Sequence, residues 1–214
     1  MCMLEEPKLP ISYLVKGRRT RSDNRVEYLV DPQGLNELSY EIPEKIVLKR
    51  WRKRKASKFH YGGMRLSPNI WRSIKEALGE DASSINKLSS SDIDQRYVLG
   101  KARLDELDYK AVSGENIRKL VEGLGLDKFQ CLLDRHNHED RLHIYGTPDL
   151  YLWTLTPKRR DISDFKFVEV KKPDEALSDD QEAELFYLRN TLKVEAILLR
   201  LKEKTNKPNR KLRH

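Results

Sequence analysis

The chain has 214 residues, with 42 lysines and arginines against 34 aspartates and glutamates, a formal charge of +8. Its length fits one domain or a core with an extension. Leucine, isoleucine, valine and phenylalanine stay above the roughly 20% below which so charged a chain remains disordered. No apolar run reaches the ~18 residues of a membrane span, the opening Met-Cys-Met-Leu-Glu-Glu-Pro does not read as a signal peptide, and two cysteines cannot build a disulfide framework, so a soluble cytoplasmic protein is expected.

Residues 11–16 and 25–30 alternate apolar and polar side chains across a polar turn, the pattern of a hairpin. Residues 45–51 read as a further strand running into the first basic patch. Residues 49–60 hold seven cations and no acid: Lys49, Arg50, Arg52, Lys53, Arg54, Lys55 and Lys58, interleaved with Trp51 and Phe59. Such a patch suits phosphates, with aromatic rings free to stack on bases, although Trp51 fits a core equally well. Ser67-Pro68 opens a helix that Gly79 closes, residues 83–91 read as a linker, and a helix is expected from Asp92 to about Val112.

In the second half, Ser113-Gly114 starts a helix that ends at Gly123–Gly125, followed by a strand at 129–133. His136-Asn137-His138 lies in a polar stretch where histidines are usually solvated. Extended chain is expected at 142–145 and 149–154, a basic loop tip at Lys158-Arg159-Arg160, and a strand at 165–172. A helix follows from Ser178 to about Asn190, then a nearly continuous apolar strand at 194–201. The tail after residue 202, rich in cations, reads as disordered. The fold class is therefore α/β of the mixed α+β kind, a mixed sheet flanked by helices. Residues 1–112 form an extension, 113–201 the core and 202–214 a basic tail. Away from its two basic segments the chain is net acidic.

Four motifs crowd into this core: Gly146-Thr147-Pro148-Asp149, Glu169-Val170-Lys171, Lys172-Pro173 and Ser178-Asp179-Asp180-Gln181. On a strand, Phe165, Phe167, Glu169 and Lys171 share one face, so a carboxylate and an ammonium can reach one site roughly 7 Å apart. Asp149 begins the strand expected to pair alongside. Two carboxylates converging on one point repel unless a cation lies between them, and an all-oxygen set suits Mg²⁺.

Pro148-Asp149 followed by Glu169-x-Lys171 resembles the PD-(D/E)XK nuclease superfamily. Gly-x-Pro-Asp-Leu-x-x-Trp with Val-Glu-Val-Lys-x-Pro and Leu-Ser-x-x-Gln is similar to its VRR-NUC branch and to archaeal Holliday-junction resolvases. Length and composition are also similar to nucleases of archaeal spindle-shaped viruses. The resemblance spans residues 113–201 and implies a restriction-endonuclease-like core and a Mg²⁺-dependent DNA endonuclease, with Mn²⁺ as a substitute. It further implies branched DNA as substrate and a homodimer. Asp149, Glu169 and the main-chain carbonyl of Val170 would hold the metal, Lys171 would serve the water and the transition state, and Gln181 would sit beside that lysine. Glu115, in the first turn of the expected core helix, would add a carboxylate, with Glu122 the alternative. Lys172, with Lys158, Arg159, Arg160 and the 49–58 patch, would contact nucleic acid. Two plainer readings stand beside these: Ser178 and Gln181 form a capping box, and Glu115 suits a helix start through the dipole alone. A site-specific restriction-type enzyme and a non-catalytic DNA-binding accessory protein are the competing functions.

Overall fold

A computed structural model describes residues 13–19, 26–30, 39–53, 59–66, 68–79, 82–103, 113–137, 146–158, 161–172 and 175–203. The expected hairpin forms: β1 (Tyr13–Arg19) and β2 (Val26–Val30) pair antiparallel, with β3 (Ser39–Glu41) beside β2. The expected strand at 45–51 is instead a helix, α1 (Pro43–Arg52). Proline at the first helical position presets φ and loses no hydrogen bond. Buried Pro43, Val47 and Trp51 then recur every four residues along one face.

β4 (His60–Arg65) follows and begins the second sheet. Its Gly62 carries no side chain because a Cβ there would come within 2.2 Å of the Trp153 ring. A run of helices comes next: α2 (Ile70–Leu78), capped by Gly79 at φ 83°, a 3₁₀ turn (Ala82–Lys87), and α3 (Ser90–Arg103). The 3₁₀ turn buries Ile85, so part of the expected linker is core. α4 (Gly114–Leu124) starts where expected, its Ser113 hydroxyl accepting from the Asn116 N–H and Gly125 closing it at φ 75°. The strand expected at 129–133 is wound into α5 (Leu126–Asn137). Phe129, Leu132, Leu133 and His136 are its buried side chains, at the spacing of a helical stripe.

β5 (Leu150–Leu155) and β6 (Ile162–Lys171) then form an antiparallel pair, and α6 (Asp179–Phe186) continues as a π turn (Tyr187–Thr191). β7 (Ala196–Arg200) returns parallel to β6. The second sheet therefore has the order β4-β5-β6-β7. β8 (Lys202–Glu203) pairs parallel with β1 at Tyr13↔Lys202, so the start of the expected disordered tail is ordered strand; residues 204–214 lie outside the described residues.

Alternation along the strands gives the second sheet two apolar faces. Tyr151, Trp153 and Phe167, with Met64 and Ala196, pack into one cluster with α2 to α6. Leu150, Leu152, Val168, Val170, Ile197 and Leu199 pack against Ile46, Val47 and Trp51 of α1. β4 and α1 come from upstream of the expected boundary at 112/113, and the first cluster runs from Met64 to Ala196 across it. Among the described residues no helix is long and apolar enough to cross a membrane.

Candidate active site

At the C-terminal end of β6, Glu169 and Lys171 point to the same face, and both are buried, at 2% and 4% exposure. The Lys171 ammonium lies 3.1 Å from Glu169 Oε1 and 3.7 Å from Glu175 Oε1. Gln181, in the first turn of α6, bridges the pair: its Nε2 donates to Glu169 Oε1 at 2.6 Å, and its Oε1 accepts from Lys171 Nζ at 2.7 Å. The same Oε1 also accepts from the Ser178 N–H at 3.1 Å, completing the capping box. Gln181 thus caps α6 and bridges Glu169 and Lys171 with one amide.

Asp149 arrives from the neighbouring strand. Its main-chain carbonyl accepts from Leu66 N–H at 2.8 Å, which ties the approach to β5 to the end of β4. Its Oδ2 accepts from the Val170 N–H at 2.8 Å, which aims the carboxylate at the segment between Glu169 and Lys171. Burial drives the Asp149 carboxyl well above the usual range, reinforced by the charges of Glu169 and Glu44 and opposed by the Val170 N–H and Lys171. Burial also raises Glu169, against the pull of the Lys171 charge and hydrogen bond and of the Asp149 N–H. Two acids that both resist ionisation, though a lysine touches one of them, lack positive charge.

The donors are hard oxygens, and this charge deficit fits a hard divalent cation. Among the described residues no three His, Cys, Asp or Glu side chains converge to hold a metal. Asp149 and Glu169 are the carboxylates that could hold such an ion, one that keeps several waters.

Glu115 is exposed in the first turn of α4, whose start is tied to α3 by the Gly114 N–H donating to Asp94. Glu122 lies at the opposite end of β6 from the pair: it accepts from the Ile162 N–H at 2.8 Å and pairs with Lys119. Glu44, in the first turn of α1, is a further acid whose charge bears on Asp149. Its signal in the sequence was Pro43 followed by an acid, a helix start that the β-branched run at 46–47 disguises as a strand. Glu175, also missed, accepts from the Lys172 N–H and flanks Lys171.

Among the expected nucleic-acid contacts, Lys49, Arg52, Lys53 and Lys158 are exposed, while Arg50 and Lys172 are half-buried. Trp51 is core: it is 4% exposed, and its Nε1 donates to Gly62 O at 2.7 Å and Trp153 O at 3.2 Å, so its ring is closed to base stacking. Arg54, Lys55, Lys58, Arg159 and Arg160 lie outside the described residues. A cleft of about 320 Å³ lined by Glu122, Lys128, Asp164, Lys193 and Glu195 opens at the other end of β6 and shares no residue with the site. His136, expected in solvent, is buried.

Residues 95–200 match the VRR-NUC domain. A crystal structure of paFAN1 bound to 5′ flap DNA with a 2-nucleotide flap and a gap resembles the chain with a TM-score of 0.50 at 13% identity, covering 96% of this chain and 40% of that one. A second, with a 1-nucleotide flap, gives 0.48 at 13% identity, covering 76% and 35%. The chain thus spans about two fifths of the first neighbour's length, and the likeness is one of fold. No curated protein matches the chain.

Proposed function

We propose that this chain, whose residues 95–200 form a VRR-NUC domain on a restriction-endonuclease-like sheet, is a divalent-metal-dependent DNA endonuclease acting on branched DNA. The observation that carries the reading is the arrangement of Asp149, Glu169, Lys171 and Gln181: two charge-starved carboxylates beside a buried ammonium, cross-braced by one amide.

Asp149 and Glu169 would hold Mg²⁺ or Mn²⁺, with the Val170 carbonyl as a main-chain ligand and Glu44 as a flanking acid. When bound, the cation supplies Lewis acidity toward a phosphodiester. Lys171 places a fixed positive charge where negative charge grows on the phosphoryl oxygens, and burial strengthens that interaction. Gln181 keeps Lys171 and Glu169 in register, so no reorganisation is needed at the moment of attack. Asp149 is held in its rotamer by the Val170 N–H. The exposed Lys49 and Arg52 of α1, with Lys53, Lys158 and Lys172, offer phosphate contacts outside the site. Resolution of a symmetric branch would call for two sites, hence a homodimer.

The test is incubation with a four-way junction, a gapped 5′ flap, linear duplex and supercoiled plasmid, with Mg²⁺ or EDTA, alongside Lys171→Ala. Cleavage confined to branched substrates, dependent on the ion and lost in the variant, is expected. Fixed fragments from linear duplex would instead favour the restriction-type alternative. Binding without cleavage of any substrate in Mg²⁺ or Mn²⁺ would leave only the accessory-protein reading.

A further inference from the structure

Gln181 rides on α6, a helix of eight residues. Three residues on, Glu184 turns into the core, where it is 1% exposed. Its Oε2 accepts from Arg135 Nε at 2.8 Å, and its Oε1 lies 2.9 Å from His136 Nε2. Both partners belong to α5 and are themselves fixed. Arg135 lies over the Tyr187 ring, 3.9 Å from its centroid, and His136 stacks on Trp71 at 5.6 Å and 18°. A carboxylate this deep persists only with charged, well-directed partners. Those two bonds set how far α6 advances along its axis and how it is turned about it.

The same flank of α6 touches the strand approach that carries Asp149. A Cβ on Gly146 would lie 2.6 Å from the Asp180 carbonyl oxygen and 2.9 Å from Glu184 Cβ, so the Gly-Thr-Pro-Asp loop rests directly on this turn. One short helix therefore meets three things: the Asp149 loop through Gly146, the Glu169–Lys171 pair through Gln181, and the helical layer through Glu184.

We infer that Glu184, clamped by Arg135 and His136, is a positioning residue for Gln181, holding the amide where it bridges Glu169 and Lys171. Residues 181 and 184 are i,i+3 neighbours on one helix, so a displacement at the clamp is passed on to the amide. The clamp touches neither substrate nor the carboxylate pair and reaches Gln181 through α6.

The test compares the full chain with Arg135→Lys, Glu184→Gln, Gln181→Ala and the Glu184→Gln/Gln181→Ala double variant. Its spectroscopic arm is independent of the nuclease reading. The Gln181 side-chain amide resonance, identified by its loss in Gln181→Ala, is expected to shift in Arg135→Lys and Glu184→Gln. In the kinetic arm, which rests on that reading, cleavage at saturating DNA is expected to fall about tenfold in both variants, with unchanged DNA affinity. The double variant is expected to be no slower than Gln181→Ala alone. An unmoved amide in folded Arg135→Lys overturns the inference, and so does slowing of the Gln181→Ala background by the same factor as the wild type. If Glu184→Gln fails to fold, Arg135→Lys carries both arms, because Arg135 is partly exposed and its loss opens no buried cavity. A wild type that cuts no DNA defeats the nuclease reading and leaves the amide shift to decide this one.

Discussion

Asp149 and Glu169 share a pocket in which neither ionises readily, and that fact has a stability consequence in metal-free protein. A carboxyl whose folded-state pKa is raised binds more protons folded than unfolded, so stability falls as pH climbs above the unfolded value of about 3.9. Asp149→Asn keeps an acceptor for the Val170 N–H and removes the buried charge. In EDTA it should raise the melting temperature at pH 8, with the gain vanishing near pH 4, while abolishing cleavage and sparing DNA binding. A lower melting temperature at pH 8 would contradict the assignment. Glu184 works in the opposite sense: His136 and Arg135 outweigh its burial and hold its carboxyl below the usual range. Its contribution is present above about pH 4.5 and is lost as pH falls through the folded value, so Glu184→Gln should cost most near neutrality and least in acid. Glu44→Gln, which removes a charge acting on Asp149, should lower cleavage by about tenfold, whereas Glu122→Gln, at the far end of β6, should leave it within about twofold.

Most elements were legible in the sequence, and the exceptions have one cause. Ser113 and Ser178 announced α4 and α6 because a hydroxyl at the N-cap satisfies a helix-end amide whatever packs around it. β6 was legible because Phe167 and Glu169 must face opposite to Val168 and Val170. α1 and α5 were misread because short apolar runs do not declare their period, and Ile46-Val47 favours a strand by local propensity. Packing decided otherwise: Val47 and Trp51 cover one sheet face, and Phe129 and Leu132 extend the helical layer on the other. Misreading α1 also hid the acid of its first turn, Glu44, whose charge bears on Asp149. Trp51→Ala should cost about 3–5 kcal/mol in denaturant unfolding, since it removes a buried indole and the hydrogen bonds its Nε1 donates to the Gly62 and Trp153 carbonyls. A loss under about 1 kcal/mol would contradict its place in the core.

At the scale of the molecule, the positive charge lies outside the acidic pair rather than in it, so affinity and chemistry should separate. Lys49→Ala with Lys53→Ala should weaken DNA binding uniformly and reduce the salt slope by about two units, leaving ion-dependent cleavage at saturation intact. The VRR-NUC match begins at residue 95, yet from upstream β4 completes the sheet and α1 covers one of its faces. The strand ladder between β4 and β5 joins His60 to Leu155 across helices α2 to α5. Closing a chain loop of that length costs about 4 kcal/mol in entropy before the first cross-strand bond repays it. The helices between, built from local contacts, can form first and shorten the gap, which makes docking of β4 a late folding event. While it waits, the edge of β5 is an open template for another strand. Crowded refolding should therefore lose material to aggregation at this seam, and pulsed hydrogen exchange should find the β4 amides protected last.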